Sequence, residues 1–169
     1  MIQWHTFPKS ASTIPAIIDT VYVFEKHLLA ISSATHDVLT SNEVLAVIRP
    51  DLELLGFQVE TDKTSAGKIK VPVLFGMNGK AEKTFDADAF HHDHNIVMEV
   101  EAGRAVSNYQ FLKDLFQACM MQDAKYLVIA VRNTYRGHGD FDSVKNFFET
   151  LYASARLQLP LTSVTIIGY

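Results

Sequence analysis

The residues best suited to chemistry lie in the stretch Phe85-Asp-Ala-Asp-Ala-Phe-His-His-Asp-His-Asn-Ile-Val-Met-Glu-Val-Glu-Ala-Gly103. Two extended runs flank a polar turn at His91–Asn95. Asp86 and Asp88 belong to the first run, Glu99 and Glu101 to the second. Residues two apart on a strand share a face, so each run shows a pair of carboxylates to one side. The second run is otherwise apolar (Ile96, Val97, Met98, Val100), as an interior strand is. Carboxylates on such a strand are costly unless something neutralises them. A hard divalent cation with oxygen ligands does so. The pattern therefore points to a carboxylate metal site on a β-hairpin. Asp86 lies 13 residues before Glu99 and Asp88 lies 11. Either fits the hairpin, with a slight preference for Asp86 because Asp88 needs the tighter turn.

The turn itself, His91-His-Asp-His94, offers imidazole and carboxylate, a set that suits Zn, Ni or Fe. Adjacent histidines on a strand point to opposite faces, so the expected state of this turn is plain exposure. His36, Asp37 and His138 read as solvated loop residues. After the second run, Asn108 interrupts an apolar stripe one turn beyond Arg104; a polar residue on that inward face near a helix start suits orienting a substrate or ligand. The loop Arg132-Asn-Thr-Tyr-Arg136 has the charges and the aromatic ring for phosphate contacts, through Arg132 and Arg136.

These residues need elements to hold them. Residues 1–12 read as irregular. A helix is predicted from Thr13, with Pro15 in its first turn. A second begins near Thr40, where Thr40-Ser-Asn-Glu43 matches a capping box; Pro50 is expected to kink or restart it. Strands follow at 57–61, 69–75, 83–90 and 96–101, with Asn78-Gly79 as a hairpin signal. A long helix is predicted from Gly103 to about Gln122, with Val106, Tyr109, Leu112, Leu115, Phe116 and Cys119 as its apolar stripe. Tyr126–Val131 reads as a strand buried on both faces. A helix over 142–157 and a strand over 161–167 complete the chain. Hairpin strands followed by strand–helix–strand units predict an α/β fold with a mixed central sheet flanked by helices.

The length of 169 residues is most simply one domain with a real core. The net charge of −4 weighs against a sequence-blind nucleic-acid coat protein. A single cysteine, Cys119, excludes an intrachain disulfide and a thiolate metal site. An intracellular, cytoplasmic setting is expected on that ground. Cys119 itself reads as a small buried hydrophobe. No apolar run approaches the ~20 residues that span a bilayer, and the first residues carry no signal-peptide pattern.

Taken together, Asp86 or Asp88, then Glu99-Val-Glu101, then Ala102-Gly103-Arg104 leading into a helix resemble the PD-(D/E)xK nucleases. That superfamily includes type II restriction endonucleases and Holliday-junction resolvases. The helix running through Leu54-Leu-Gly-Phe-Gln-Val59 into a strand is similar to the entry of their αβββαβ core. The resemblance covers roughly residues 40–131, with 1–39 as an N-terminal helical extension and 132–169 as a helix and strand completing the sheet. Two departures stand out: no Pro precedes either Asp, and Glu101 stands where Lys is usual, as in the Glu-x-Glu restriction enzymes of the family.

The resemblance implies a Mg²⁺-dependent DNA endonuclease, with Mn²⁺ as a substitute ion, double-stranded DNA as partner, and a two-fold homodimer as the simplest way to cut two strands. Asp86 or Asp88 with Glu99 would hold the principal ion. Glu101 would hold a second ion or act as general base. The Val100 carbonyl is a further ligand candidate, as is Glu43, since resolvase-like members carry an acid on the first core helix. Arg104, Lys113, Lys68 or Lys70 would supply the positive charge that the missing Lys does not. The different-class alternative is a catalytically inactive fold of this kind, acting as a nucleic-acid or protein interaction module.

Overall fold

The computed structural model describes residues 1–36 and 38–169; Asp37 lies outside the described residues. Their order is β1 (Gln3–Phe7), α1 (Pro15–Ile31), α2 (Ser41–Leu54), β2 (Phe57–Val59), β3 (Ile69–Phe75), β4 (Ala81–Ala87), β5 (Ala89–His91), β6 (Ile96–Glu101), α3 (Gln110–Met120), β7 (Tyr126–Val131), α4 (Asp140–Ser154) and β8 (Ser163–Gly168). Among the described residues the strands form a six-stranded sheet, β1-β8-β7-β6-β5-β2, and a separate two-stranded hairpin, β3-β4. The sheet is mixed. β6, β7 and β8 are parallel, whereas β1, β5 and β2 run antiparallel to their neighbours. The fold is thus α/β, with helices on both faces.

The period of two along the central strands sorts the core. Val128 and Ala130 of β7 face α1 and α2, packing with Ile17, Phe24, Leu45, Ile48 and Leu52. Leu127, Ile129 and Val131 face α3 and α4, packing with Phe111, Leu115, Val144 and Phe148. On β6, Ile96, Met98 and Val100 join the first layer and Val97 the second. Glu99 and Glu101 share the parity of Val97, so they face the α3 side. The hairpin packs its base on that same side through Ile69, Val71, Phe85 and Ala87.

Several elements differ from the sequence expectation. Residues 3–7 are not irregular: they form an edge strand that pairs with β8 through the backbone. Only Thr6 and Phe7 of it are buried, so the side chains carried little signal. Pro50 neither ends nor splits α2, which runs on to Leu54 with Leu45, Ile48 and Leu52 buried around it. The strand expected over 83–90 is broken at Asp88. Ala81–Ala87 pairs with β3, and Ala89–His91 pairs with β2 and β6. The chain therefore changes sheet at one residue. Finally, residues 102–109 are not helical. Gly103 (φ +100°) and Tyr109 (φ 52°) are left-handed, and α3 starts only at Gln110.

Candidate functional site

The break at Asp88 sets up the site. Asp88 has the parity of Phe90, on the α3 side of the sheet. Its carboxylate accepts the Val100 N–H at 2.8 Å, and its own carbonyl accepts the Glu60 N–H at 2.7 Å. Opposite, Glu99 (7% exposed) and Glu101 extend from the C-terminal half of β6, and buried Asp114 meets them from α3. These residues line one cleft of about 690 Å³, together with Glu60, Lys63, Lys68, Asp86, Val100, Arg104, Asn108, Lys113, Arg132 and Tyr135.

The electrostatics are those of crowded, poorly solvated acids. Burial raises Glu99 well above the usual carboxylate range, and the charges of Asp88, Asp114 and Glu101 push it further. Glu101 is lifted to about 8, by burial first and then by Asp114. Asp114 is lifted to about 7 by burial, against the pull of Lys113 and with Asp88 adding to the rise. Burial raises Asp88 as well, opposed by the Val100 N–H. The Oδ2 atom of Asp114 is buried and receives no hydrogen bond from an amide, hydroxyl or cationic group, while the Glu101 carboxyl stands within hydrogen-bond reach of Asp114, so the two acids share a proton. Carboxylates crowded in this way are a donor set that fits a hard divalent cation. Among the described residues, no group of three or more His, Cys, Asp or Glu side chains already stands in ligating positions.

The other expected residues divide. Asp86 sits on β4, pairs with Lys68 at 2.5 Å and keeps 41% of its side chain exposed. It lines the cleft, but Asp88 is the hairpin aspartate enclosed with Glu99. Of the two hairpin aspartates, the slightly preferred Asp86 lies further out, and Asp88 is the one whose charge acts on Glu99. The sheet change at Asp88 supplies the tight geometry that a continuous strand lacks. Glu43 is absorbed by its cap: Thr40 donates to it through N–H and hydroxyl, at 2.7 and 2.8 Å, and it does not line the cleft. Asn108 lines the cleft but is exposed and off any helix, because the helix it was assigned to begins later. Arg104 is an exposed wall residue.

Arg132 is not a solvated loop charge. It is 2% exposed, donates to the Leu39 carbonyl at 2.6 Å and lies 5.2 Å from the centre of the Tyr135 ring. Arg136 flanks the same ring at 5.2 Å but is exposed outside the cleft. Tyr135 is fixed from a third side by Gly103, where a Cβ would sit 2.4 Å from the ring. Of the lysines, Lys70 turns away to Ser65, whereas Lys113 stays at the rim, its Nζ 4.0 Å from Asp114.

Sequence reasoning passed over Asp114, Glu60 and Lys63. Asp114 falls in the series Phe111, Asp114, Leu115, Ala118, all buried. An acid on that inward face is a usable signal, masked when the helix is read from Gly103, seven residues before its first turn at Gln110. Glu60 is 4% exposed and paired to Lys63 at 2.5 Å; the strand expected over 57–61 ends at Val59, so the alternation that would turn Glu60 outward stops one residue before it. Comparison with protein-family models, curated proteins and solved structures returns no significant match.

Proposed function

We propose that this chain is a Mg²⁺-dependent endonuclease acting on DNA, with Asp88, Glu99 and Glu101 as its working carboxylates. The observation that carries the reading is the enclosure of these acids with Asp114 in one cleft, at raised pKa. Nature tolerates such mutual repulsion where charge is to be received. The order α2–β2–β5–β6–α3–β7, with β3-β4 as an insert between β2 and β5, supports a restriction-endonuclease-like core.

Asp88 and Glu99 would hold the ion, and Asp114 would complete the anionic wall. Bound there, Mg²⁺ would polarise a phosphoryl oxygen and acidify a water. The Val100 N–H holds the Asp88 carboxylate in one orientation, with Val100 itself locked in register against Ala130 of β7. Glu101 holds its own proton up to about pH 8 in the ion-free cleft; ionised beside a bound cation, it would accept the proton of the attacking water. Lys113 and Arg104, both exposed at the rim, would take the negative phosphate. The two aspartates of the hairpin then have separate work: Asp88 in the cleft, Asp86 holding Lys68.

Plasmid cleavage with Mg²⁺ or Mn²⁺ tests this, comparing wild type with Glu99→Ala. Metal-dependent nicking by the wild type alone supports it. Absence of nicking, or equal nicking by both proteins, refutes it. One observation favours the second reading, a non-catalytic interaction module: Asp86 and Glu60 are already neutralised by Lys68 and Lys63. Tight DNA binding without any cleavage would establish it.

A further inference from the structure

A second group of metal-capable residues lies away from the carboxylate cleft. The β5–β6 turn, the Leu55 end of α2, the start of α1 and the Lys125–Tyr126 corner enclose a pocket of about 520 Å³. Its wall carries His91, Asp93, His94 and, from α1, Asp19.

His91 is the anchor. It is 4% exposed. Its Nε2 lies 2.9 Å from the Leu55 carbonyl. A carbonyl only accepts, so Nε2 carries the proton and the neutral ring keeps its lone pair on Nδ1. That Nδ1 is buried without a partner. Turning the ring over would put Cε1 in place of Nε2 at the Leu55 carbonyl and lose that bond. Gly56, left-handed at φ +98°, lets the ring lie close against the backbone, since a Cβ there would sit 3.2 Å from Nε2. Phe57 adds an edge contact, with ring centres 5.0 Å apart. An imidazole whose far nitrogen donates to a backbone carbonyl is oriented as outer-shell bonds orient metal-ligating histidines. The exposed His94 ring lies beside it, centres 4.6 Å apart and tilted by 57°. The charged lining is two acids against one lysine, Lys125, which favours a cation over an anion.

We propose that this pocket binds a borderline divalent transition cation, of the Zn²⁺ or Ni²⁺ kind, through His91 Nδ1 and His94, with Asp93 as the accompanying carboxylate. His91 is the preset ligand. His94 and Asp93, both exposed, swing onto the ion and tie the turn down. This site is independent of the carboxylate cleft, whose oxygen set favours harder ions.

The test uses untagged full-length chain, stripped of metal and held in excess Mg²⁺. Zn²⁺ and Ni²⁺ are titrated by calorimetry, and Co²⁺ is followed by its visible absorption as a report of nitrogen ligands. The expected result is one equivalent bound. His94→Ala should weaken binding by more than the roughly 10–100-fold that loss of an outer-shell partner costs. His92→Ala should leave it unchanged, because His92 bonds Gln58 at 2.9 Å instead. His91→Phe should abolish it, and His94→Ala, an exposed change, decides the matter if His91→Phe does not fold. No binding by the wild type, binding indifferent to His94→Ala, loss in His92→Ala, or stabilisation by inorganic phosphate in place of the metals would each overturn the proposal.

Discussion

Replacing Glu101 by Gln should make the metal-free protein more stable at high pH and leave it unchanged at low pH. Folding lifts the Glu101 carboxyl from 4.5 to about 8. A raised acid favours the protonated fold. Its penalty is therefore absent below about pH 4.5, grows as pH rises, and is complete above about pH 8. At about 1.4 kcal/mol per pH unit the ceiling is about 5 kcal/mol. Two features reduce it. Glu101 keeps some solvent contact, and it shares repulsion with Asp114, so part of the strain relaxes elsewhere. A gain of about 1–3 kcal/mol at pH 9 is expected, worth about 2–4 °C in Tm for each kcal/mol at this chain length. His5 and His91, both lowered by burial, make the wild-type profile rise with pH on their own account. The quantity to measure is therefore the difference between variant and wild type, by urea unfolding in EDTA from pH 5 to 9. A difference that stays flat, or shrinks as pH rises, refutes the crowding argument. Added Mg²⁺ should narrow the gap by stabilising the wild type preferentially.

Asp88→Asn should reduce Mg²⁺-dependent cleavage by at least about a hundredfold, the scale of losing one charge-stabilising group. Asp86→Asn, which breaks only a partly exposed ion pair, should change it less than about fivefold. Arg132→Ala should destabilise the fold by about 2–4 kcal/mol in denaturant titrations, since it frees the Leu39 carbonyl and one side of Tyr135. Gly103→Ala should cost about 1–3 kcal/mol, because φ is +100° and a Cβ would strike the Tyr135 ring; a neutral effect would show that Tyr135 is free to move.

What the sequence revealed followed from side-chain periodicity. The β6 run, the twice-buried β7 and the Thr40–Glu43 cap were legible because burial imposes a period on residue types. The Asn78-Gly79 turn was legible because left-handed backbone needs such residues: Asn78 and Gly79 have φ 60° and 71°. What escaped notice depended on events without a period. The change of sheet at Asp88 is a pairing choice made by distant strands, β2 against β3. The late start of α3 rests on two left-handed residues, one of them a Tyr. That single shift in phase moved the inward face from Leu112 and Phe116 to Phe111, Asp114, Leu115 and Ala118, and so concealed a member of the acidic cleft. Arg132 looked like a loop charge because nothing local shows that the Leu39 carbonyl lies beside it, 93 residues away in sequence.

The hairpin of β3 and β4 leaves the main sheet after β2 and returns at Asp88, and the Glu60 N–H to Asp88 carbonyl bond closes its neck. Residues 61–87 therefore hang on a backbone clasp. Their base is anchored, with Ile69, Val71, Phe85 and Ala87 packed on the core, whereas the far end carries exposed Leu74, Phe75 and Met77. That tip could be shortened, lengthened or exchanged while the base keeps Asp88 in its place opposite Glu99. The fold thus offers a graft point at which new recognition can be added without redesigning the acids beneath it.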